Sequence, residues 1–239
     1  MGGQSRWIEV SPERFPGWIS ALADRHGGPL SVRPGPDTVV FTAADGAVAA
    51  CHPPFPPLAP GGPGGPGGPG AEPPPGTVRA VVRQARRIAA HAEADRTVGV
   101  LLVRLGGYAA GVFTGAPPQL ADSKVGSRLV HGRSAAGGRS QHRFARRREK
   151  QAAEALGAAA GTAAMVFGRY PGPLDAVVLG GDRRAMAGLR EDPRLRPYFE
   201  LAVDRFLTVP DPRLAVLKDT PRLFRAIRIQ LTEPAEPAG

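Results

Sequence analysis

The sequence predicts an α/β chain, α+β overall. A small N-terminal α+β module precedes a larger mixed β-sheet with helices packed on it. Three observations carry this expectation. Short alternating segments surround one amphipathic helix near the N-terminus. A Pro/Gly run then interrupts the chain. Beyond it, strand patterns come first, and helix and strand patterns alternate afterwards. The expected layout is a module over 1–58, a linker over 59–76, a second domain over 77–232 and a frayed tail over 233–239.

Within the module, Trp7-Ile8-Glu9-Val10 alternates as a strand does. Ser11-Pro12-Glu13 is a helix start, with a capping hydroxyl, proline at the first helical position and an acid in the first turn. Phe15, Trp18, Ile19 and Leu22 follow at i, i+3, i+4 and i+7, which gives one apolar face. Gly27-Gly28-Pro29 ends that helix. Residues 30–32 and 38–42 read as strands. Asp45-Gly46 is a hairpin turn, and 47–51 returns as a strand. Trp7 and Trp18 are expected in the core, and Cys51 as a small buried hydrophobe.

Residues 60–76 contain fifteen Pro or Gly in seventeen positions and no apolar face to bury. That composition makes a linker of flexible Gly pairs and stiff prolines. After it, Thr77 caps a helix whose Val78, Val81, Val82, Ala85, Ile88 and Ala89 share a side. Residues 97–104 and 108–114 read as strands joined by Leu105-Gly106-Gly107, a hairpin turn. The β pattern continues less clearly through 120–130, and 131–140 is a loop rich in Gly and Arg. A long helix is expected over about 142–167, with Ala152, Leu156, Ala160, Ala163, Ala164 and Phe167 facing inward. Residues 174–179 form an uninterrupted apolar run, as in a buried strand, ending at Gly180-Gly181-Asp182 and a helix. A further strand is expected over 201–209 and a helix over 213–225.

Composition narrows the function classes. The net charge is +10 and the pI about 11.0, which favours a polyanionic partner such as nucleic acid. A single cysteine excludes an internal disulfide framework or a Cys-rich zinc site. His26, His52, His91, His131 and His142 show no metal-ligand spacing, so neither metal nor cofactor is expected. No leader pattern or membrane-length apolar run occurs, so a cytoplasmic protein is expected.

Residues 124–150 hold nine Lys or Arg against Glu149, which makes +8 in that stretch alone. Such a cluster binds phosphates through counterion release, with no sequence readout. Cations in the first turns of a helix also oppose its dipole, a local cost that a polyanion relieves. Within this segment lies Gly137-Gly138-Arg139-Ser140-Gln141. A glutamine amide can orient a water or bind a leaving oxygen, but it has no useful basicity. It suits chemistry on a substrate positioned by another machine. From the residues alone, an Arg/Gly-rich mobile RNA-binding loop without chemistry is the favoured reading.

His131-Gly132-Arg133, Gly137-Gly138, Gln141 and Arg143-Phe144-Ala145-Arg146 together resemble the central catalytic domain of the eukaryotic and archaeal class-I release factors. In those proteins a His-Gly-Arg-Gly-Gly-Gln loop runs into an Arg-Phe-Ala-Arg helix. The run 177–182, ending Gly-Gly-Asp, resembles that domain's later strand and Gly-x-Asp turn. The match is best with the Vms-type release-factor-like family, in its actinobacterial peptidyl-tRNA hydrolase branch, where the glutamine is separated from the glycine pair. The resemblance covers roughly 77–230, and the N-terminal module also resembles that branch.

The spacing departs from the release factors. Ser134-Ala135-Ala136 precedes the glycine pair, and Arg139-Ser140 follows it. Counted back from Arg143 without gaps, Arg139 takes the position of the release-factor glutamine, whereas the Vms-type spacing assigns Gln141. A literal Gly2-Gly3-Gln4 also occurs, without a basic helix behind it.

The resemblance implies a ribonuclease H-like catalytic domain over 77–232. It implies codon-independent hydrolysis of the peptidyl-tRNA ester on stalled large ribosomal subunits. Gly137 and Gly138 would let the loop enter the peptidyl-transferase centre, and Gln141 would place water or stabilise the departing ribose oxygen. His131, Arg133, Arg139, Arg143, Arg146 and Arg147 would contact rRNA or tRNA. The expected partners are the large subunit and peptidyl-tRNA, with no membrane and a monomeric protein. Two alternatives stand beside this reading. One is a non-catalytic ribosome-associated RNA-binding factor. The other is a nuclease of the same fold cutting near the tRNA 3′ end. Separately, Asp175 and Asp182 could suggest a nuclease pair on a sheet, although strand-end aspartates are usually turn or cap residues.

Overall fold

The computed structural model describes residues 5–58, 76–104, 107–127 and 140–234, and at 140–148 the backbone alone. In chain order the elements begin with β1 (Ser5–Val10), a 3-10 turn (Pro12–Arg14), α1 (Phe15–Arg25), β2 (Ser31–Arg33), β3 (Val39–Thr42), β4 (Val48–His52) and α2 (Val78–Glu93). The chain then forms β5 (Val98–Arg104), β6 (Gly107–Thr114), β7 (Gln119–Ser127) and α3 (Ser140–Arg169). It continues through β8 (Ala176–Gly181), α4 (Arg183–Leu189), α5 (Arg196–Glu200), β9 (Ala202–Leu207), α6 (Leu214–Lys218) and α7 (Thr220–Phe224). A last strand, β10, spans Ile227–Thr232.

These elements form two compact units, Met1–Ala94 with Arg225–Gly239, and Asp95–Phe224. The first unit is an antiparallel sheet in the order β1-β10-β4-β3-β2. Its core joins Phe15, Ile19 and Leu22 of α1 and Ala80, Val81, Ala85, Ile88 and Ala92 of α2 to Phe41, Cys51, Ile227, Ile229 and Leu231 of the sheet. Thr77 caps α2, its Oγ1 accepting from the Ala80 amide at 3.2 Å. Gly46 sits at φ +93° in the β3–β4 hairpin, a conformation that favours glycine, and the Asp45 carboxylate accepts from the Ala47 amide.

The sequence reading assigns residues 77–93 and 225–232 to the second domain, but they pack in the first unit. Burial decides this: the apolar side of α2 finds its partners on α1 and the first sheet, and β10 pairs between β1 and β4. The second unit is therefore an insertion between α2 and β10. Residues 59–75 of the expected linker lie outside the described residues, as do 235–239 of the expected tail.

The second unit is a mixed sheet in the order β7-β6-β5-β8-β9. β5 runs parallel to β8, and β8 to β9, while β6 is antiparallel to both its neighbours. Counted from β5, the order is 3-2-1-4-5 with the second strand reversed, which is the ribonuclease H-like arrangement. Residues 98–103 of β5 are buried without a break, because both faces of the sheet are covered. On one face Leu101, Val103, Val112 and Val177 meet Ala159, Ala163, Val166 and Phe167 of α3. On the other, Phe113 meets Phe224 of α7 edge to face, with ring centroids 5.8 Å apart. The run 213–225 forms two short helices, α6 and α7, instead of one.

Candidate functional site

The loop that carries the candidate chemistry leaves β7 at Ser127 and re-enters the described chain at Ser140, the first residue of α3. His131, Arg133, Gly137, Gly138 and Arg139 lie outside the described residues, as does Gly2-Gly3-Gln4. The side chains of Gln141, Arg143, Arg146 and Arg147 also lie outside them. The backbone of α3 begins two residues before the position expected from sequence, so Gln141 is the second residue of a 30-residue helix.

The two ends of this helix differ. Residues 152–154 are exposed, and the first buried side chain described is Ala155. Ser140 stands fifteen residues ahead of Ala155, about 22 Å of helix at 1.5 Å per residue. From Ala155 onward the helix is clamped. Gly188 of α4 lets Leu156 approach so closely that a Cβ at 188 would lie 2.9 Å from its Cδ1. Arg194 donates to the Gly157 carbonyl at 3.3 Å and is itself held by Asp192. Phe167 packs edge to face on Tyr198, at 5.0 Å. The buried face is Ala155, Ala159, Ala160, Thr162, Ala163, Val166 and Phe167. Ala152 is exposed, contrary to the sequence expectation, and Leu156 and Ala164 are half-buried. A helix with alanine on several sides carries no single apolar stripe, so its packed face is set by the sheet.

β7, the edge strand that feeds the loop, is tied back to this clamp. Asp122 accepts two hydrogen bonds from Arg169 at the end of α3, at 2.9 and 2.6 Å. These bonds hold the Asp122 carboxyl below the ordinary aspartate range and raise the Arg169 guanidinium. Gly126 lies against the Tyr108 ring, where a Cβ would meet it at 2.5 Å. Of the basic segment 124–150, Lys124 on β7 and Lys150 on α3 have described side chains, and both are exposed. The structure thus brings both ends of the basic loop onto one sheet-and-helix scaffold.

The other candidates resolve as structural groups. Asp175 accepts from the Thr97 amide at 2.7 Å. Asp182 caps α4 by accepting from the amides of Arg184 and Ala185. The two stand at opposite ends of β8, about 23 Å apart at strand rise, so they do not form a carboxylate pair. No group of three or more His, Cys, Asp or Glu placed to hold a metal occurs among the described residues. Cys51 is fully buried, and burial raises its thiol pKa. Leu105 and Gly106 lie outside the described residues, but Arg104 pairs with Gly107 across the antiparallel β5 and β6.

One expectation is reversed. Trp7 is not core: it is 53% exposed on β1, whereas Trp18 is half-buried against the first core. The signal was present in the strand itself, since Trp7 shares its face with Glu9 and opposes Ile8 and Val10.

No curated protein matches the sequence. Among solved structures, the archaeal translation termination factor aRF1 aligns with a TM-score of 0.41 at 11% identity, covering 94% of this chain and 68% of that one. The Vms1 mitochondrial localization core aligns with a TM-score of 0.37 at 10% identity, covering 92% and 82%. The family model described as Actinobacteria/chloroflexi VLRF1 release factor matches residues 96–230, which is more than half of the chain and spans the basic loop, α3 and the second sheet. The chain belongs to the Actinobacteria/chloroflexi VLRF1 release factor family.

Proposed function

We propose that this protein is a codon-independent peptidyl-tRNA hydrolase that acts on stalled large ribosomal subunits, with the loop of Gly137, Gly138 and Gln141 entering the peptidyl-transferase centre. In the reaction, water adds to the ester carbonyl carbon and the bond to the ribose 3′ oxygen breaks. The peptide leaves as a carboxylic acid, and the ribose oxygen takes up a proton. Gln141 orients the water or stabilises the departing oxygen. His131, Arg133, Arg139, Arg143, Arg146 and Arg147 hold rRNA or tRNA, largely through phosphates. The protein works as a monomer in the cytoplasm, and its partners are the large subunit and peptidyl-tRNA.

The observation that carries this reading is the release-factor family match across the segment that contains the motif. The anatomy of α3 supports it. A helix clamped from Ala155 onward carries Gln141 about 21 Å ahead of the clamp, a reach suited to a narrow site in another particle. The separation of Asp175 and Asp182 argues against those two residues as a nuclease pair.

The test is peptide release from purified large subunits that carry stalled peptidyl-tRNA. Gln141→Ala should lower release by at least a hundredfold, within the range seen when one oriented polar group is removed, and should leave subunit binding intact. Release at the parental rate would remove Gln141 from the chemistry. A shortened tRNA 3′ end in the product would replace ester hydrolysis with nuclease action, and binding without release would leave a non-catalytic factor.

A further inference from the structure

The first sheet carries α1 and α2 on one face, and its other face presents an ordered row of side chains. Register places Trp7, Gln230, Ala50, Val40 and Arg33 side by side across all five strands. Beside that row runs a second, Glu9, Arg228 and His52. The Arg228 guanidinium lies over the Trp7 ring, 4.5 Å from its centroid, and the His52 ring stands 5.4 Å away at 43°. The indole is thus backed on one side by a cation and is still 53% exposed. Thr38 engages His52 Nδ1 at 3.1 Å, while Nε2 has no hydrogen-bond partner among the described residues.

We infer that this sheet face binds single-stranded RNA, with Trp7 stacking on a base and Arg33 and Arg228 meeting phosphate or base edges. The chemistry fits that ligand better than a protein. A base needs a rigid aromatic surface, supplied by an indole already braced by Arg228. Its edges need donors and acceptors, supplied by the exposed amide of Gln230. The backbone needs cations, and the face carries Arg33 and Arg228 against Glu9. Small Ala50 and Val40 between them leave the centre low enough for a flat ligand to lie across the strands. Five strands span about 19 Å, room for a short run of nucleotides. This site is in the first unit and does not depend on the proposed hydrolysis by the second.

The experiment uses the full chain and a ten-nucleotide mixed-sequence RNA. In Trp18→Phe, Trp7 is the sole tryptophan, and its emission should be quenched on RNA addition. Trp7→Ala should weaken RNA affinity about tenfold, and Trp7→Phe should retain most of it. Arg33→Ala should lower the salt dependence of binding by about one phosphate contact. Gln141→Ala should leave quenching unchanged, which separates this site from the release chemistry. Because Trp7 is exposed, circular dichroism of Trp7→Ala should match the parent. Unquenched emission at saturating RNA, or parental affinity in a folded Trp7→Ala, would overturn the inference and leave the face to a protein partner.

Discussion

The two sheets have five strands each, yet they bury them differently. Along β5 every position from Val98 to Val103 is buried, whereas along β4 buried and half-buried residues alternate. The second sheet lies between α3 on one face and α6 and α7 on the other, so its inner strands β5, β6 and β8 are apolar on both sides. Among the described residues, the first has helices on one face alone. A doubly covered sheet is a stiff mount for the long helix α3 packed on it. A singly covered sheet keeps a surface available for recognition.

Neighbouring substitutions sharpen this contrast. In the first unit, Phe41→Ala should cost about 3–5 kcal/mol in urea unfolding, while Val40→Ser, one residue away on the helix-free face and half-buried, should cost about 1 kcal/mol. In the second, Leu101→Ala and Leu102→Ala should each cost about 2–5 kcal/mol, since one faces α3 and the other the opposite layer. A large penalty at Val40, or a small one at either leucine, would break the comparison. Thr77→Ala tests how far capping, beyond burial, fixes α2 to the first unit. It should cost about 1 kcal/mol, measured the same way.

The smallest effect concerns the Asp122–Arg169 tie. The folded state holds the Asp122 carboxyl below its ordinary value of 3.8 because Arg169 donates to it. Its contribution is therefore present above that value and is lost as pH falls through the lower folded one. Asp122→Asn should show a slightly lower melting temperature than the parent at pH 6, and the difference should shrink under strongly acidic conditions.

Much of this architecture is legible in the residues. Asp45-Gly46, the Thr77 cap, the apolar run at 174–179 and the helix that follows the basic loop all mark real elements, because each has a local physical cause. What escapes is set by distant contacts. Ile227-Arg228-Ile229-Gln230-Leu231-Thr232 alternates plainly, yet its partners β1 and β4 lie some 175 to 225 positions earlier, and only pairing reveals which unit it completes. Residue type alone places Trp7 in the core, although its own strand's alternation puts it with Glu9. For the candidate site, sequence supplies the motif and the charge. The clamp by Gly188, Arg194 and Asp122 on α3 arises from packing between elements and has no sequence signature.

The position of β10 has a consequence for biogenesis. It is an interior strand of the first sheet, flanked by β1 and β4, and it comes from the C-terminal end of the chain. During synthesis the second unit can fold as soon as residue 224 has emerged, while the earlier-made β1 must wait for β10 before it gains a neighbour. A premature stop ahead of Ile227 would therefore damage the first unit, whose β1 and β4 lose their shared neighbour, while sparing the second.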